Sequence, residues 1–349
     1  MAEPDPMELL ADAFDGEPSP FGPRGLLVLR ARPSRAFARD ALVCEQGSKP
    51  LHAALDAEGR EVHAELPADL AEFPAAAVCL TRARAENRAN LARAWAKTAE
   101  GGRLFVSGAK TDGIESLQKA LRKEGLEVEA APRRHGRVLS LVRQGEAPAL
   151  FAQWLEEAAA APRVHGLGRD FVTAAGVFSW DKVDPGSALL AEALPPLKGA
   201  VADLGAGWGF LSARILESAD VASLDLVEAE HAALACAQAN LSDPRARFHW
   251  ADVRAMPLPR ASHETVVANP PFHDGREVSL ALGTAFLEAA ARLLKPSGRL
   301  WLVANRTLPY EKVLERAFVE WSEVGGDGAY KLLCAARPRP PAARGRQAR

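Results

Sequence analysis

The stretch Ala200-Val201-Ala202-Asp203-Leu204-Gly205-Ala206-Gly207-Trp208-Gly209 decides how the chain is read. A short apolar run ends next to an acid and passes at once into alternating glycines. The run predicts a buried strand, and Phe210 to about Ser218 predicts the helix that follows it. Glycines at such a turn let the backbone bend tightly and approach a ligand without a Cβ in the way. The spacing departs from the G-x-G-x-x-G of dinucleotide sites, because the third glycine comes one residue early and Phe210 holds the expected place. Asp203 stands two residues before the first glycine. A carboxylate there would repel a pyrophosphate, but it suits a ligand that carries a cationic amino group. Gly205, Ala206 and Gly207 are the residues expected to line that ligand.

Downstream, Ala222-Ser223-Leu224-Asp225-Leu226-Val227-Glu228 predicts the next strand. An acid at the carboxyl end of the second strand can accept both hydroxyls of a ribose. Asp225 is the rival for that role, but it lies mid-strand, whereas Glu228 opens the loop. A third strand, Ala246-Arg247-Phe248-His249-Trp250, ends at Ala251-Asp252-Val253. Asp252 can receive an adenine amino group and Val253 can flank the ring; a plain turn or cap role is the competing reading of Asp252.

After the fourth strand, Thr265-Val266-Val267-Ala268, comes Asn269-Pro270-Pro271-Phe272. In an open parallel sheet, ligands sit outside the carboxyl ends of the strands, so this loop is expected to face the glycine turn. The prolines stiffen the loop, and a residue before proline is biased toward extended backbone. The Asn269 side-chain oxygen and the Pro270 carbonyl can each accept one N–H of a planar amino group. Phe272 offers a face for a planar group to stack on. An ordinary proline turn is the plainer reading, and His273 and Asp274 are taken as loop-shaping residues.

The order of elements in this half repeats an order found earlier. Ala76 to Leu80 is a strand, Glu86 to Ala99 a helix, Gly101 to Val106 turn and strand, Gly113 to Arg122 a helix and Arg137 to Val142 a strand. The second copy runs Thr265 to Ala268, Ala281 to Leu294, Ser297 to Val303, Tyr310 to Phe318 and Tyr330 to Cys334. Gly102-Arg103-Leu104 and Gly298-Arg299-Leu300 anchor the register, and alternating strands and helices predict a parallel α/β sheet in each half. The first copy lacks the glycine turn: Leu26-Leu27-Val28-Leu29-Arg30 runs into Ala31-Arg32-Pro33-Ser34. It also lacks a polar-proline motif after Leu80.

The D-x-G-x-G-x-G turn resembles motif I of class I S-adenosylmethionine-dependent methyltransferases, and an Asn-Pro-Pro loop suits transfer to a nitrogen. More closely, Asn269 to Gly275, and Val303-Ala304-Asn305 with Leu308-Pro309-Tyr310, resemble the bacterial ribosomal RNA small-subunit methyltransferase C family. So do Gly176-Val177-Phe178-Ser179 and Val183-Asp184-Pro185-Gly186-Ser187, over about Gly176 to Ala335. The likeness is looser through Ser107 to Ile114. It implies an α/β fold of tandem Rossmann-like methyltransferase domains with a degenerate N-terminal copy that supports folding and RNA binding. It also implies S-adenosylmethionine as cofactor and 16S rRNA guanine-N2 methylation on the small ribosomal subunit. Phe178, Ser179, Val183 and Asp184 are implied as pocket residues. Methylation of a 23S guanine, of protein glutamine-N5 or of adenine-N6 uses a closely similar loop, and a non-catalytic RNA-binding protein with a relic pocket is the reading furthest from these.

The expected organisation is a degenerate first domain over 1–147, a linking helix over 148–165, a catalytic domain over 166–336 and a basic tail over 337–349. A chain of 349 residues exceeds what one core usually holds. The net charge of −2 excludes a protein that coats nucleic acid by bulk charge, so RNA contact would come from patches. Two are present: Arg133, Arg134, His135 and Arg137, and the arginines from Arg337 to Arg349. Cys44, Cys79, Cys236 and Cys334 fit neither a disulfide framework nor a zinc site. The first residues show no leader pattern, and no apolar run is long enough for a membrane span. A cytoplasmic, metal-free monomer is expected.

Overall fold

A computed structural model describes residues 4–133, 136–160, 162–271 and 276–340. The chain divides into two compact units: Met1–Pro162 with Ala174–Gly176, and Arg163–Thr173 with Val177–Arg349.

In the first unit the elements run α1 (Pro6–Ala13), β1 (Leu26–Leu29), β2 (Leu42–Glu45), α2 (Lys49–Ala57), β3 (Glu61–His63), β4 (Phe73–Cys79), α3 (Arg84–Ala96), β5 (Thr98–Ala109), α4 (Ile114–Lys123), β6 (Glu129–Arg133), β7 (Gly136–Val142) and α5 (Ala149–Ala159). The strands form one seven-stranded sheet in the order β3-β2-β1-β4-β5-β7-β6. β1 and the Ala75–Cys79 stretch of β4 are buried on both faces, as strands between two helical layers must be. One layer packs Leu91, Trp95, Ile114 and Leu121 on the sheet, and the other packs Met7, Leu10, Phe37 and Leu55. The helix expected to link the halves belongs to this unit: Phe151 and Trp154 are buried, with the Phe151 ring 5.3 Å from Trp95.

The second unit starts with a hairpin, β8 (Arg163–Gly166) and β9 (Arg169–Val172). It continues as α6 (Pro185–Ala193), β10 (Gly199–Leu204), α7 (Phe210–Leu216), β11 (Val221–Glu228), α8 (His231–Asn240), β12 (Ala246–Trp250), β13 (His263–Ala268), α9 (Arg276–Leu293), β14 (Leu294–Asn305), α10 (Glu311–Ala317), β15 (Phe318–Gly326) and β16 (Tyr330–Pro338). Its sheet order is β12-β11-β10-β13-β14-β16-β15. This is the first sheet's order strand for strand, so both halves are methyltransferase-type Rossmann-like sheets, and the first is a full sheet rather than a fragment.

The two glycines used as register anchors occupy one structural position. Leu104 pairs with Ala76 and Leu300 with Val266 at matching places in the two ladders. A Cβ on Gly102 would stand 2.7 Å from the Ala99 carbonyl, and one on Gly298 would stand 3.0 Å from the Lys295 carbonyl. A Cβ would clash with backbone at Gly102 and crowd it at Gly298, so the turn favours glycine in both copies.

The sheets are parallel as expected except at one side, where each is mixed. β16 runs antiparallel to both β14 and β15, and β7 is antiparallel to β5 and β6. Only Asp327 to Ala329 separate β15 from β16, too few for a crossover helix, so the chain turns back as a hairpin. The parallel remainder still puts the carboxyl ends of β10, β11, β12 and β13 on one edge.

Candidate active site

The glycine turn follows β10 as expected. Gly205, Gly207 and Gly209 have φ of +73°, +55° and +91°, left-handed conformations that side chains resist. The amides of Gly205 and Ala206 both donate to the Val227 carbonyl, at 2.8 and 3.2 Å, which folds the turn over the end of β11. A Cβ on Gly207 would meet nothing within 4 Å, so this side of the turn faces open space.

Beneath the turn, Asp203 is fully buried. Its Oδ2 accepts the Ser212 hydroxyl at 2.6 Å, and Oδ1 has no partner among the described residues. Burial pushes the carboxyl up to about 7; the Ser212 bond pulls the other way and the nearby Glu228 charge adds to the rise. An unsatisfied carboxylate oxygen in a dry place calls for a cationic donor. S-adenosylmethionine carries such a donor in its amino group, so Asp203 fits that cofactor.

Glu228 ends β11. Its Oε2 accepts the Gly207 amide and its Oε1 the Glu230 amide, each at 2.8 Å. Burial raises its pKa, against the pull of these backbone bonds. Each oxygen keeps a lone pair for a hydroxyl. Asp225, the rival, is engaged elsewhere: His249 lies at 2.7 Å, His263 at 3.0 Å and Arg247 at 2.6 Å. Asp225 is buried, yet these hydrogen bonds outweigh the cost of burial and hold its carboxyl well below the ordinary range.

Asp252 follows β12, with Val253 buried beside it. Both Asp252 oxygens are taken by Arg254, whose Nε lies 3.0 and 2.8 Å from them. That pairing outweighs partial burial and lowers the Asp252 pKa. An incoming amino group would share this carboxylate with the guanidinium.

Asn269 follows β13. Its Nδ2 donates to Asp184 Oδ2 at 2.9 Å and to Ser187 Oγ at 2.8 Å. Pro270 is buried and Pro271 half-buried. Phe272, His273, Asp274 and Gly275 lie outside the described residues, as do Arg134, His135 and residues 341–349.

A cleft gathers Phe178, Ser179, Asp184, the Gly205-Ala206-Gly207 turn and Asn269. Val183 is off its wall, half-buried beside Gly166, and Glu228, Asp252 and Val253 lie along the strand ends outside it. The segment ahead of the turn is pinned by two contacts. Trp208 Nε1 donates to the Phe178 carbonyl at 3.2 Å, and the Thr173 hydroxyl donates to the Trp180 carbonyl at 2.5 Å. Ser179 is left-handed, with φ +51°, and Phe178 is 42 % exposed over the cleft. Three contributors had no role assigned from sequence: Trp208, Ser187 and Ser212. The Trp was visible inside the glycine turn, and Ser187 stands three residues after the capping Asp184. Nothing marked Ser212.

Among the described residues, no His, Cys, Asp and Glu group suits a metal ion, and no helix is long and apolar enough to cross a membrane.

Comparison with known proteins places this geometry. A methyltransferase small domain model matches residues 168–334. The ribosomal RNA small subunit methyltransferase C of Shewanella loihica is 30% identical over 238 residues, covering 66% of this chain and 68% of that protein. The protein of the same name from Salmonella choleraesuis is 30% identical over 234 residues, covering 66% of each. Among solved structures, the Thermus thermophilus 16S rRNA N2 guanine-1207 methyltransferase, in complex with AdoMet and guanosine, superposes with a TM-score of 0.76 at 29% identity. It covers 93% of this chain and 91% of its own. With the tandem sheets, the glycine turn and these relatives agreeing, the chain belongs to the ribosomal RNA small subunit methyltransferase C family of S-adenosylmethionine-dependent enzymes.

Proposed function

We propose that the chain methylates the exocyclic N2 of a guanine in 16S rRNA on the small ribosomal subunit, a reading supported by the 16S rRNA N2 guanine specificity that the Thermus thermophilus relative is named for. The observation that carries this reading is the Asn269 amide, tied down by its N–H end so that its oxygen is the end left to meet a donor.

When bound, S-adenosylmethionine supplies an electrophilic methyl group on a sulfonium. Asp203 would hold its amino group, Gly205, Ala206 and Gly207 would let it lie against the backbone, and Glu228 would accept its ribose hydroxyls. Asp252 and Val253 would take the adenine edge and ring. Phe178, Ser179 and Val183 belong to the segment ahead of the turn, and Phe178 would cover the cleft.

Asn269 Oδ1 accepts one N–H of the guanine amino group and the Pro270 carbonyl accepts the other. Both bonds grow stronger as the nitrogen becomes cationic, so they stabilise the transition state more than the ground state. They also hold the nitrogen in line for attack, and no strong base is needed. Pro271 stiffens the loop, and Phe272, which lies outside the described residues, is the residue proposed to stack on the base. A base inside a helix cannot reach this position, so the target is single-stranded or flipped. Arg133, Arg134, His135, Arg137 and the arginines from Arg337 to Arg349 are proposed phosphate contacts. A monomer working in the cytoplasm on the ribosomal subunit completes the reading.

The test is incorporation of tritiated methyl into small subunits, large subunits, naked 16S and 23S rRNA and bulk protein, with Asn269→Ala as control. Label in 16S rRNA that the variant abolishes is expected. Label confined to large subunits, or to protein, would move the substrate to a 23S guanine or a glutamine instead.

A further inference from the structure

We propose that Asp184 and Ser187, at the start of α6, are positioning residues for Asn269: they fix which end of its amide faces the substrate. The proposal rests on the amine-methylating reading above and adds to it the means by which the loop is aimed.

Asn269 and Asp184 are 85 positions apart in sequence, yet Asp184 Oδ2 accepts an Asn269 N–H at 2.9 Å. The Ser187 hydroxyl accepts the other at 2.8 Å. An amide has two nearly equal-sized ends, so sterics alone would let it flip. A carboxylate only accepts. Turning the amide over would face Oδ1 against Oδ2, two acceptors in a place where Asp184 is 5 % exposed and Ser187 8 % exposed. The Ser187 amide, which donates to the same Oδ2, holds an acceptor at that point; this selects the rotamer, and Oδ1 points away from it. The Asp184 charge adds to the effect by drawing the N–H end toward itself.

Helix capping alone does not explain the arrangement. Asp184 does cap α6, with Oδ2 accepting the Ser187 amide at 2.8 Å. The first unit keeps the same device: Asp5 precedes Pro6, caps α1 and accepts the Met7 amide at 2.8 Å. Ladder register puts Cys79 of β4 where Asn269 follows β13. There the thiol meets Met7 Sδ at 3.5 Å, and among the described residues no bond from Asp5 to Cys79 is seen. The cap is common to both copies, whereas its second bond exists only where the strand ends in Asn.

Three variants separate the roles, read by steady-state methylation of 16S rRNA, cofactor calorimetry and side-chain amide exchange by NMR. In Asp184→Asn one carbonyl oxygen can accept both bonds, so turnover is expected within about fivefold of wild type. Asp184→Ser still caps the helix but is too short to reach Asn269. Its kcat is expected to fall about 10²-fold with cofactor Kd within about threefold and KM for RNA little changed. Ser187→Ala, which leaves the cap intact, is expected to lose about five- to tenfold. The Asn269 side-chain protons are expected to exchange slowly in wild type and fast in Asp184→Ser.

Unchanged turnover in Asp184→Ser overturns the proposal, and so does an equal loss in Asp184→Asn and Asp184→Ser. A loss that appears only as weaker cofactor binding also overturns it. If Asp184→Ser does not fold, Ser187→Ala decides, and a change below about twofold sinks the idea. Wild-type protein that labels no guanine would overturn the substrate reading alone; the amide-exchange contrast still supports or refutes the positioning.

Discussion

The two sheets share strand order and register but differ in the polar groups at their strand ends. Register places Val28 where the second copy has Asp203, and Arg30, with φ +57°, where it has Gly205. The turn keeps its strained backbone in both, though one copy has lost the glycine that relieves it. Gln46 stands in place of Glu228. Its Oε1 accepts the Ser48 amide at 2.9 Å, as Glu228 Oε1 accepts the Glu230 amide. Its Nε2, however, donates to the Ala31 carbonyl at 2.6 Å. The first copy thus satisfies within itself the groups that the second leaves for a ligand. Orphaned buried polar atoms cost stability, and the first copy does without that cost at these positions.

The comparison breaks most sharply at Asn269. Asn269→Ala is expected to cut methyl transfer about 10²- to 10³-fold while calorimetry still detects cofactor. Cys79→Asn in the first copy should add no second binding event. Asp203→Val, which copies Val28, is expected to weaken cofactor binding about 10- to 100-fold by loss of a charged hydrogen bond. Retained affinity would mean that Asp203 is a structural relic too.

Asp203 also supplies a pH signature. Its pKa in the fold, about 7, lies above the ordinary value. Between about 4 and about 7 the folded state then binds more protons than the unfolded one, so stability falls as pH rises through that window. Melting curves of ligand-free wild type against Asp203→Asn should diverge across this window and run parallel above it, and saturating cofactor should narrow the gap. Curves parallel throughout would show that the carboxyl is not held up by burial. Glu228→Gln, which copies Gln46, is expected to weaken the cofactor about tenfold by calorimetry. The smallest effect is the reverse change: Gln46→Glu should cost about 1–2 kcal/mol in denaturant titrations and confer no binding, because a carboxylate would face the Ala31 carbonyl.

How much of this was legible follows from how local each signal is. β10, α7, β11 and β12 show in the sequence because apolar runs and a glycine turn mark them without help from the rest of the chain. β2 and β3 do not. They span Leu42–Glu45 and Glu61–His63, too short for any alternation to register. β15 escapes because it is an edge strand carrying Glu320, Ser322 and Glu323, and polar edges look like loops. The antiparallel place of β16 depends on a sheet neighbour, which no periodicity encodes. In the site, Asp203, Gly205, Glu228 and Asn269 were visible because each stands at a strand end. The bond from Asn269 to Ser187 was not, since it spans 82 positions and depends on how α6 packs on β14 and β16 of the sheet. Asp252 shows the opposite limit. Its position was plain, but its claim by Arg254 two residues on was not.

The antiparallel last strands have a consequence for synthesis. In each sheet the strand made last is not the edge: β7 lies between β5 and β6, and β16 between β14 and β15. A nascent chain therefore carries β14 with an open flank until residues 330–338 have been made. The first sheet, by contrast, has all its strands once Val142 has been added. Chains fold by domains as they are made, and an open strand flank is a point of misassembly. The copy without a cofactor turn is the one that can finish early, and the copy that does the chemistry must wait for its last nine-residue strand.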